Sequence, residues 1–584
     1  MLCAMAETMR NAEIAAALDE LGTLYELDGA VRYRVLAYRE AARVIRQSPV
    51  SVAELAREGR ATELPGIGAT LETKIVALLD TGEIPSATKL KAKFPSSLLE
   101  VTRIPGLGAK TVRRLYDELG VASLDDLREA AEAQRIRELK GLGAKVEENV
   151  LASLERLGEE GAPGRLLLSK VLPVAETLAG ELRAHPASDA VEIAGSARRM
   201  AETCKDIDLI ATAADPAALA ESLAKNPLSS QSGKPGSSGV HVVTHNGVSV
   251  DLRIVAPDAY GNLLQHFTGS AEHNIQLRER AVAQGLSVSE HGIADTESGE
   301  IARYATEEEV YARLGLDYIE PELREGSGEI AAAAERRLPR LVELGDIRGD
   351  LHCHTTLSDG RNSLREMAEA ARARGYAYLA VTDHSASHGF GNDVQPNSLW
   401  RRIEDVHKLN EQYKGKRFRV LAGSEVNIHT DGSLDYDDEL LEALDWVMAS
   451  VHTSFRISAK AMTERVVTAV ENPHVDCIGH LTGRLIGRRE PYDIDVERVA
   501  EAAAGARTML EINGNPNRRD LSEHHARLAA EAGVPICVNT DAHGTDTLDN
   551  IAYGVATARR AWLTADQVAN AQGWREFQKL RKRG

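Results

Sequence analysis

Apolar residues recur at helical spacing in the first part of the chain. Segments 13–27 and 31–47 place apolar side chains three and four positions apart, which is typical of amphipathic helices. The same pattern continues through 86–160. The sequence therefore predicts an all-helical N-terminal region.

From about residue 165 the pattern changes to short, alternating runs rich in β-branched residues. The runs lie at 191–195, 206–211, 240–244 and 248–255. Asn246-Gly247, between the last two runs, is typical of a β-hairpin turn. The runs predict a small α+β domain, and the Gly- and Ser-rich segment 225–239 predicts a flexible surface loop.

The C-terminal part of the chain alternates strand patterns with helix patterns. It follows a segment, 321–346, whose composition predicts a mostly helical connector. Strictly alternating strands and helices are typical of an α/β fold with a parallel sheet. We expect an α/β barrel beyond residue 346.

Composition narrows the possible classes of protein. A length of 584 residues predicts about four domains. The net charge of −19 argues against a protein that coats nucleic acid through its overall field, so DNA binding would need local basic sites. Five scattered cysteines, the lack of an export leader and the lack of a long apolar run favour a cytoplasmic protein without membrane contact.

Three segments share an apolar-x-Gly-apolar-Gly-small pattern that opens a helix. In a helix-hairpin-helix, such glycines let backbone N–H groups at a helix N-terminus approach a phosphate, which binds DNA without reading its sequence. One such turn alone is more often only a tight turn, but three of them favour DNA binding. The glycines concerned are Gly66, Gly68, Gly106, Gly108, Gly141 and Gly143.

Two strands of the α+β region carry carboxylates on one face. Because side chains alternate along a strand, Asp206 and Asp208 share a face while their neighbours enter the core. Asp251 points away from the core side of the next strand pattern in the same way. The three carboxylates could hold two Mg²⁺ about 3.5–4 Å apart for in-line attack on a phosphate. A solvent-facing polar strand is the alternative for an isolated pair.

Further motifs surround these two strands. Gly-Ser-x-Arg-Arg at 195–199 opens a helix whose free N–H groups suit a triphosphate. It is followed by Asp-x-Asp at 206–208, Val-Asp-Leu-Arg at 250–253 and the segment 266–278. In this order the motifs resemble the DNA polymerases of family X. The resemblance implies the nucleotidyltransferase fold and extends back through the three hairpins.

The resemblance also implies roles for individual residues. Asp206, Asp208 and Asp251 would be the catalytic metal-binding carboxylates, holding two Mg²⁺ or Mn²⁺. The residues implied for nucleotide binding are Gly195, Ser196 and Arg199 at the triphosphate, Thr268 and Gly269 along the sugar, and Asn274 at the base edge. Arg278 would face the template strand.

Four positions bear on how closely the chain follows the family. Met200 and Lys205 stand where the family usually has glycine, and His266 replaces the aromatic residue that helps to exclude ribonucleotides. Lys74 matches the lysine with which some members cleave abasic sugars through a Schiff base. A nucleophilic lysine needs a depressed pKa, and a plain lysine on a helix surface is the alternative.

Seven apolar runs in the C-terminal part each end in a histidine or an acid. Active sites of α/β barrels are assembled from such strand ends, so the recurrence predicts a metal cluster. The arrangement resembles the polymerase and histidinol phosphatase (PHP) domain, a distorted seven-stranded barrel with a trinuclear metal site. The nine ligands implied are His352, His354, Asp359, His384, Glu425, His452, His480, Asp541 and His543.

The same resemblance gives further expectations for this domain. Glu425 would bridge metals, and a mixed imidazole and carboxylate set suits two to three Mn²⁺, Zn²⁺ or Fe²⁺. Cys353, between two of the ligands, is expected to turn away into the core. Arg484, Arg488 and Arg489 are expected to hold DNA phosphates.

Together the motifs predict a multidomain chain. It combines all-α helix-hairpin-helix domains, an α+β nucleotidyltransferase palm and thumb, and an α/β distorted seven-stranded PHP barrel. The expected boundaries are 1–85 for a lyase-like DNA-binding domain, 86–164 for helical fingers, 165–256 for the palm, 257–320 for the thumb, 321–346 for a linker and 347–584 for the PHP nuclease domain.

The implied function is base excision repair. The polymerase would fill short gaps by template-directed addition, and the PHP domain would act as a metal-dependent 3′–5′ exonuclease and open abasic sites. Expected partners are gapped or primer-template DNA and dNTPs, and we expect a monomer. The alternatives are a PHP nuclease with a weakened polymerase, or a non-catalytic DNA repair scaffold.

Overall fold

The computed structural model describes most of the chain. It covers residues 9–582 apart from positions 96, 103, 105–106, 140–141, 144–145, 148–149, 152–153, 155–164, 388 and 390–392. The chain forms two compact units. The first comprises Met1–Leu166, Pro173–Ile193 and Lys205–Val255, and the second comprises Leu167–Leu172, Ala194–Cys204 and Ala256–Gly584.

The N-terminal part of the first unit is helical, as the apolar spacing predicts. Its α-helices are α1 (Asn11–Leu27), α2 (Arg32–Gln47), α3 (Val52–Arg57), α4 (Ala69–Thr81), α5 (Pro85–Lys91), α6 (Ser97–Val101), α7 (Ala109–Leu119) and α8 (Leu124–Glu132). Ile14, Leu18 and Leu21 of α1 are fully buried, because their spacing places them on one side of that helix. They belong to one core that runs from α1 to Leu154.

The next segment carries the α+β pattern. Its elements in chain order are β1 (Leu166–Leu167), α9 (Leu168–Ala184), β2 (Ser188–Ile193), α10 (Gly195–Arg198), β3 (Thr203–Cys204), β4 (Asp206–Ala213), α11 (Pro216–Ala224), β5 (Ser229–Ser232), β6 (Gly239–Thr244) and β7 (Ser249–Ile254). A five-stranded sheet of the first unit has the order β2-β4-β7-β6-β5. β4 and β7 run parallel, and β6 and β7 form the antiparallel hairpin predicted at Asn246-Gly247.

One prediction for this sheet is wrong in part. Segment 225–239 is not loop throughout, because β5 within it pairs antiparallel with β6 at the edge of the sheet. β5 consists of Ser-Ser-Gln-Ser, residues with little intrinsic preference for strands. Its pairing partner, rather than its own composition, makes this segment extended.

The second unit continues with a smaller α+β region. Its elements are α12 (Tyr260–Thr268), α13 (Ala271–Val282), β8 (Leu286–Ser289), β9 (Gly292–Asp295), β10 (Ile301–Ala302), α14 (Glu307–Arg313) and α15 (Glu329–Ala334). β8, β9 and β10 form a three-stranded antiparallel sheet. Only α15 and the short 3₁₀ helices at Pro321–Leu323 and Leu344–Asp346 occupy 321–346, so the connector is less helical than its composition predicts.

The C-terminal part of the second unit is a barrel of seven parallel strands. Its elements are β11 (Gly349–Asp350), α16 (Leu364–Ala373), β12 (Tyr378–Val381), α17 (Pro396–Gln412), β13 (Arg419–Asn427), α18 (Asp438–Ala443), β14 (Trp446–Ser450), α19 (Ala459–Glu471), β15 (Cys477–Ile478), α20 (Val496–Ala506), β16 (Met509–Asn513), α21 (Glu523–Glu531), β17 (Ile536–Asn539), α22 (Ile551–Arg560) and α23 (Trp574–Leu580). The strands are neighbours in sequence order. A parallel bridge from Cys353 to Ala542 joins the extensions of the first and last strands.

The barrel confirms the predicted fold class and directs its strand ends to one side. Six of the seven predicted runs contain one of its strands, and the first run begins at Asp350, the last residue of β11. Cys353 is fully buried, and its Sγ lies 3.3 Å from the carbonyl oxygen of Ala380, as expected for a packing residue. Among the residues that the structure describes, no helix is long and apolar enough to cross a membrane.

Candidate active sites

In the first unit, three aspartates line one face of two paired strands. β4 and β7 are parallel, and their register places Asp208 directly opposite Asp251. Asp206 lies two positions before Asp208 on the same face. Ile207, between these two, and Val250, next to Asp251, are fully buried. The predicted alternation is therefore confirmed. Three partly exposed carboxylates on one face form a donor set of hard oxygens that fits divalent cations such as Mg²⁺.

A histidine that the sequence analysis did not single out touches this cluster. His241 on β6 lies opposite Asp251 in the sheet register, and its Nδ1 is 3.2 Å from Asp251 Oδ1. Both side chains are partly exposed. Alternation on β6 could have identified His241, because it is the polar residue between the buried Val240 and Val242.

In the second unit, the Gly-Ser turn begins the short helix α10. Gly195 has φ +64°, a left-handed conformation that favours glycine. Arg199 follows α10, and its Nη1 donates to the carbonyl oxygen of Thr268 at 2.8 Å. Arg198 Nη1 donates to the hydroxyl of Thr268 at 2.8 Å, so both arginines hold one threonine. The structure thus brings Arg199, which follows the Gly-Ser turn, against Thr268, another of the residues expected to bind the nucleotide.

The residues after Thr268 are also closely packed. A Cβ on Gly269 would lie 2.8 Å from Asn274 Oδ1, so a larger side chain does not fit there. Asn274 Nδ2 donates to the carbonyl oxygen of His266 at 2.8 Å. Arg278 is exposed on α13.

Met200 stands where the family usually has glycine, and it adopts φ +54°. Glycine takes this left-handed conformation without strain, whereas methionine does not.

The glycine turns of the N-terminal helices lie open to solvent. Gly68 and Gly108 are the residues immediately before α4 and α7, and a Cβ on either would meet nothing within 4 Å. Gly66 is exposed and has φ +79°. Gly143 is exposed as well, whereas Gly106 and Gly141 lie outside the described residues. Exposed N–H groups at the starts of helices suit the proposed phosphate contacts.

Lys74 lies on α4 and is partly buried. Its Nζ donates to the hydroxyl of Ser86 at 2.9 Å. Tyr38 stacks against Tyr25 with ring centroids 5.3 Å apart, and burial raises the pKa of Tyr38 to about 12. The hydroxyl of Ser86 is not a base that could activate the amine of Lys74, and the side chain of Lys74 is only partly buried. The role of Lys74 in Schiff-base chemistry therefore remains a prediction.

In the barrel, the residues predicted as metal ligands converge at the C-terminal ends of the strands. Three groups of side chains bring their donor atoms within 4.8 Å of one another. The groups are His354, Asp359, His384 and His543, then His352, His354 and Asp541, then His384, Glu425 and His452. Shared members join the three groups into one cluster. His480 completes the nine, since its Nε2 lies 2.8 Å from Glu425 Oε1.

Glu425 lies at the centre of this cluster. Its oxygens lie 2.9 Å from His384 Nδ1, 3.1 Å from His452 Nε2 and 3.3 Å from His352 Nε2. Burial by itself would raise the pKa of Glu425, but the imidazoles of His452, His352 and His384 hold it well below its usual range. Such a central carboxylate is suited to bridge two cations.

Two imidazole nitrogens in the cluster lack hydrogen-bond partners. His354 Nδ1 and His480 Nδ1 are buried without one. A buried polar atom without a partner destabilises the folded protein, and a bound metal ion would accept the lone pairs of these nitrogens. Burial and the neighbouring imidazoles of His543 and His384 lower the pKa of His354 to about 4, which keeps its ring neutral for coordination. The residues present therefore fit a metal cluster.

Asp541 and His543 reach the cluster from a turn after β17. If the extended conformation of β17 continued, the two side chains would share one face of the strand. β17 ends at Asn539, and Asp541 has φ +54°, so the chain turns there. Asp541 Oδ1 nevertheless lies 3.2 Å from His354 Nε2, and His543 Nε2 lies 3.2 Å from Asp359 Oδ2.

Glu511 on β16 is a functional residue that the ligand prediction did not include. Its Oε1 lies 2.7 Å from His352 Nδ1, and its Oε2 accepts from the backbone N–H of His480 at 2.9 Å. A carboxylate behind a metal-binding imidazole fixes which ring nitrogen faces the metal. The run containing Glu511 was identified as one of the seven, but spacing alone does not separate a ligand from a residue that supports one.

The basic segment after β15 is only partly available to DNA. Arg484 forms an ion pair with Glu202 and donates to the carbonyl oxygen of Arg519. Arg489 Nε donates to the carbonyl oxygen of Gly483 at 2.8 Å. Arg488 is exposed. A phosphate contact from Arg488 remains a prediction, whereas Arg484 is already engaged within the second unit.

Comparison with protein families identifies four regions of the chain. A helix-hairpin-helix domain matches residues 9–84, and a SAM-like helix-hairpin-helix tandem matches 98–156. The DNA polymerase beta thumb matches 263–325, and the PHP domain matches 350–515. These regions follow the order in which the helices, the thumb and the barrel occur.

One relative matches nearly the whole chain. DNA polymerase/3′-5′ exonuclease PolX of Bacillus subtilis (strain 168) is 37% identical over 577 residues, which is 98% of this chain and 100% of the relative. The chain belongs to the bacterial family X DNA polymerases with a PHP domain. Other relatives match the barrel region: a probable phosphatase of Thermoanaerobacter sp. (strain X514) is 32% identical over 40% of this chain and 95% of its own length. A probable phosphatase of Syntrophotalea carbinolica is 28% identical over 38% of this chain and 90% of its own length.

Proposed function

We propose that this DNA polymerase and 3′–5′ exonuclease works in base excision repair. It fills short gaps by template-directed addition of deoxynucleotides, and its barrel removes 3′ nucleotides and opens DNA at abasic sites. The observation that carries the polymerase assignment is the register that places Asp208 opposite Asp251 on parallel strands. Partners are gapped or primer-template DNA and dNTPs, and the working form is a monomer.

The three carboxylates of the first unit are proposed to bind the ions that polymerisation needs. Asp206, Asp208 and Asp251 are proposed to hold two Mg²⁺ or Mn²⁺, and His241 limits the freedom of Asp251 through their 3.2 Å contact. When bound, the ions would neutralise charge on the triphosphate and favour deprotonation of the primer 3′-hydroxyl. Gly195, Ser196 and Arg199 bind the triphosphate, while Thr268 and Gly269 lie along the sugar.

The remaining contacts guide the nucleotide and the DNA. Asn274, whose amide is oriented by the carbonyl oxygen of His266, reaches the base edge, and Arg278 faces the template. The glycine turns at Gly66, Gly68, Gly108 and Gly143 give backbone N–H groups to phosphates. Such contacts bind DNA without regard to its sequence.

The nine-residue cluster in the barrel is proposed to hold two or three Mn²⁺, Zn²⁺ or Fe²⁺. Six of its nine side chains are imidazoles, which favour these ions over Mg²⁺. When bound, the ions would activate water and polarise the scissile phosphate. Glu511 holds His352 with its Nε2 towards the cluster, and Arg488 helps to retain the DNA strand.

A paired assay tests both activities on one protein preparation. The purified chain is given a gapped primer-template and dNTPs, with Mg²⁺ or Mn²⁺ in turn, and both primer extension and loss of 3′ nucleotides are measured. We expect extension with either ion and stronger degradation with Mn²⁺. A folded protein that neither extends nor shortens the primer with any of these ions would refute the assignment.

One alternative has a specific observation in its favour. Met200 occupies a left-handed conformation at a position where the family usually has glycine. If that strain weakens nucleotide binding, the chain is mainly a PHP nuclease with a weakened polymerase. Met200→Gly should then increase the rate of extension without changing degradation.

A further inference from the structure

Three arginines of the barrel hold the residues that follow the proposed triphosphate turn. Arg560 Nη1 donates to the carbonyl oxygen of Arg199 at 2.9 Å, and Arg519 Nη1 donates to the carbonyl oxygen of Met200 at 2.9 Å. Arg484 pairs with the carboxylate of Glu202. All of these residues belong to the second unit. Three anchor points, at residues 199, 200 and 202, therefore fix segment 199–202 to the barrel.

The side chain of Arg199 is connected to the barrel as well. Glu325 Oε1 accepts from Arg199 Nε at 2.9 Å and from Arg560 Nη1 at 2.7 Å. The other branch of the Arg560 guanidinium donates to Glu523 Oε1 at 2.7 Å. One carboxylate thus joins the nucleotide-binding arginine to an arginine of α22. A shift of α22 would move both the backbone and the side chain of Arg199.

These contacts are buried rather than incidental surface pairs. The side chain of Arg560 is 7% exposed, and Arg519 as a whole is 1% exposed. The buried charge of Arg560 is paired with Glu325 and Glu523, so replacing Arg560 leaves two carboxylates without their partner. Arg519 is also held by the hydroxyl of Thr557, 2.8 Å from its Nε. The hydrogen bond from Arg519 to the carbonyl oxygen of Met200 helps to hold Met200 in its left-handed backbone conformation.

We propose that Arg519 and Arg560 are positioning residues for polymerisation, through which the PHP barrel holds the triphosphate turn in its binding conformation. The barrel then has a second role that is independent of its own hydrolytic site. The inference rests on the proposed role of 195–199 in binding the triphosphate. Because Arg519 and Arg560 contact the turn and not the reacting atoms, losing their contacts should weaken ground-state and transition-state binding alike, which raises KM rather than lowering kcat.

The test uses the full chain with Arg560→Gln and Arg519→Gln. We expect KM for dNTP to rise at least about tenfold, the effect of losing one charge-assisted hydrogen bond, with kcat nearly unchanged. Exonuclease rate and metal content report on the barrel itself and should stay at the wild-type level. Hydrogen exchange in 195–204 should become faster. Arg560→Lys, which keeps the charge but loses the forked geometry, should fall between wild type and Arg560→Gln.

Arg559→Gln is the matched control, because Arg559 is the neighbour of Arg560 on α22 but pairs with Glu322 instead of the turn. Its KM for dNTP should equal that of wild type, and an equal rise in this control would overturn the inference. An unchanged KM in both Arg519→Gln and Arg560→Gln would also overturn it. Ser196→Ala tests the triphosphate turn separately from its contacts with the barrel. If this variant leaves KM for dNTP unchanged, the proposal that the turn binds the triphosphate is wrong.

Discussion

At the scale of single residues, the barrel cluster shows why candidate metal ligands are easier to predict than the residues that orient them. Each predicted ligand follows an apolar run, and the resemblance supplied the rest of the pattern. Glu511 has the same sequence context, yet it contacts the ligand His352 from behind. The role of Glu511 depends on which side chains its two carboxylate oxygens contact. Those contacts are set by the pairing of β16 with β15 and β17, which sequence spacing does not show.

Glu511→Gln should weaken metal binding in the barrel. The amide cannot accept from His352, His480 and Asn539 together, so His352 loses its fixed ring orientation. Mutation of such a supporting residue typically costs about 10- to 100-fold in metal affinity. Metal content after dialysis and exonuclease rate measure the effect, with primer extension as the internal reference. Glu501→Gln, an exposed change on α20, should alter neither.

His266 is proposed to set the preference for deoxynucleotides only weakly. It lies on α12 beside Phe267, with ring centroids 5.3 Å apart, and its carbonyl oxygen orients Asn274. We expect wild type to discriminate poorly between dNTP and rNTP and His266→Tyr to discriminate better. The ratio of kcat/KM for the two nucleotides measures this. A strong preference that is the same in both proteins would remove the side chain from sugar selection.

At the scale of elements, amphipathic patterns predicted most helices and strands correctly. α1 and α2 begin and end within two residues of the segments read from apolar spacing. Alternation also gave the correct faces of β4 and β7, because one face of that sheet is buried and register is then strongly specified. β5 was missed, since its four polar residues carry no pattern of their own and become a strand only by pairing with β6.

Gly108→Val should weaken binding to gapped DNA without unfolding the protein. Gly108 has φ −69° and open space around a Cβ, so valine fits the backbone but covers the N–H groups at the start of α7. Loss of phosphate contacts should lower affinity and reduce its dependence on salt concentration. Fluorescence anisotropy at several salt concentrations measures both.

Gly66→Val provides the contrasting variant for the same test. Gly66 has φ +79°, so a β-branched residue there is strained and should lower the thermal midpoint as well as DNA affinity. Hydrolysis of a small phosphodiester should persist in Gly108→Val, because the barrel cluster is unaffected. Equal DNA affinity in wild type and Gly108→Val would exclude this hairpin from DNA binding.

At the scale of the whole molecule, the contacts that could not be predicted join residues far apart in sequence. Arg484 and Glu202 are 282 positions apart, and His352 and Glu511 are 159 apart. Apolar spacing reports only on neighbours within an element, so it cannot reveal such pairs. The resemblance to PHP domains gives Arg484 as a DNA contact, but neither it nor the spacing of the segment indicates the ion pair of Arg484 with Glu202.

Two donor sets of different chemistry should make the two activities separable by mutation. Asp251→Asn removes one of the three carboxylates proposed to hold the ions for polymerisation, so primer extension should fall below detection while exonuclease activity persists. The double variant His352→Ala/His354→Ala removes two imidazoles from the barrel cluster, so exonuclease activity and transition-metal content should fall while extension continues. Elemental analysis and both assays on each folded protein check the pair. Loss of both activities in Asp251→Asn, or full metal content and exonuclease activity in the double variant, would contradict two independent metal sites.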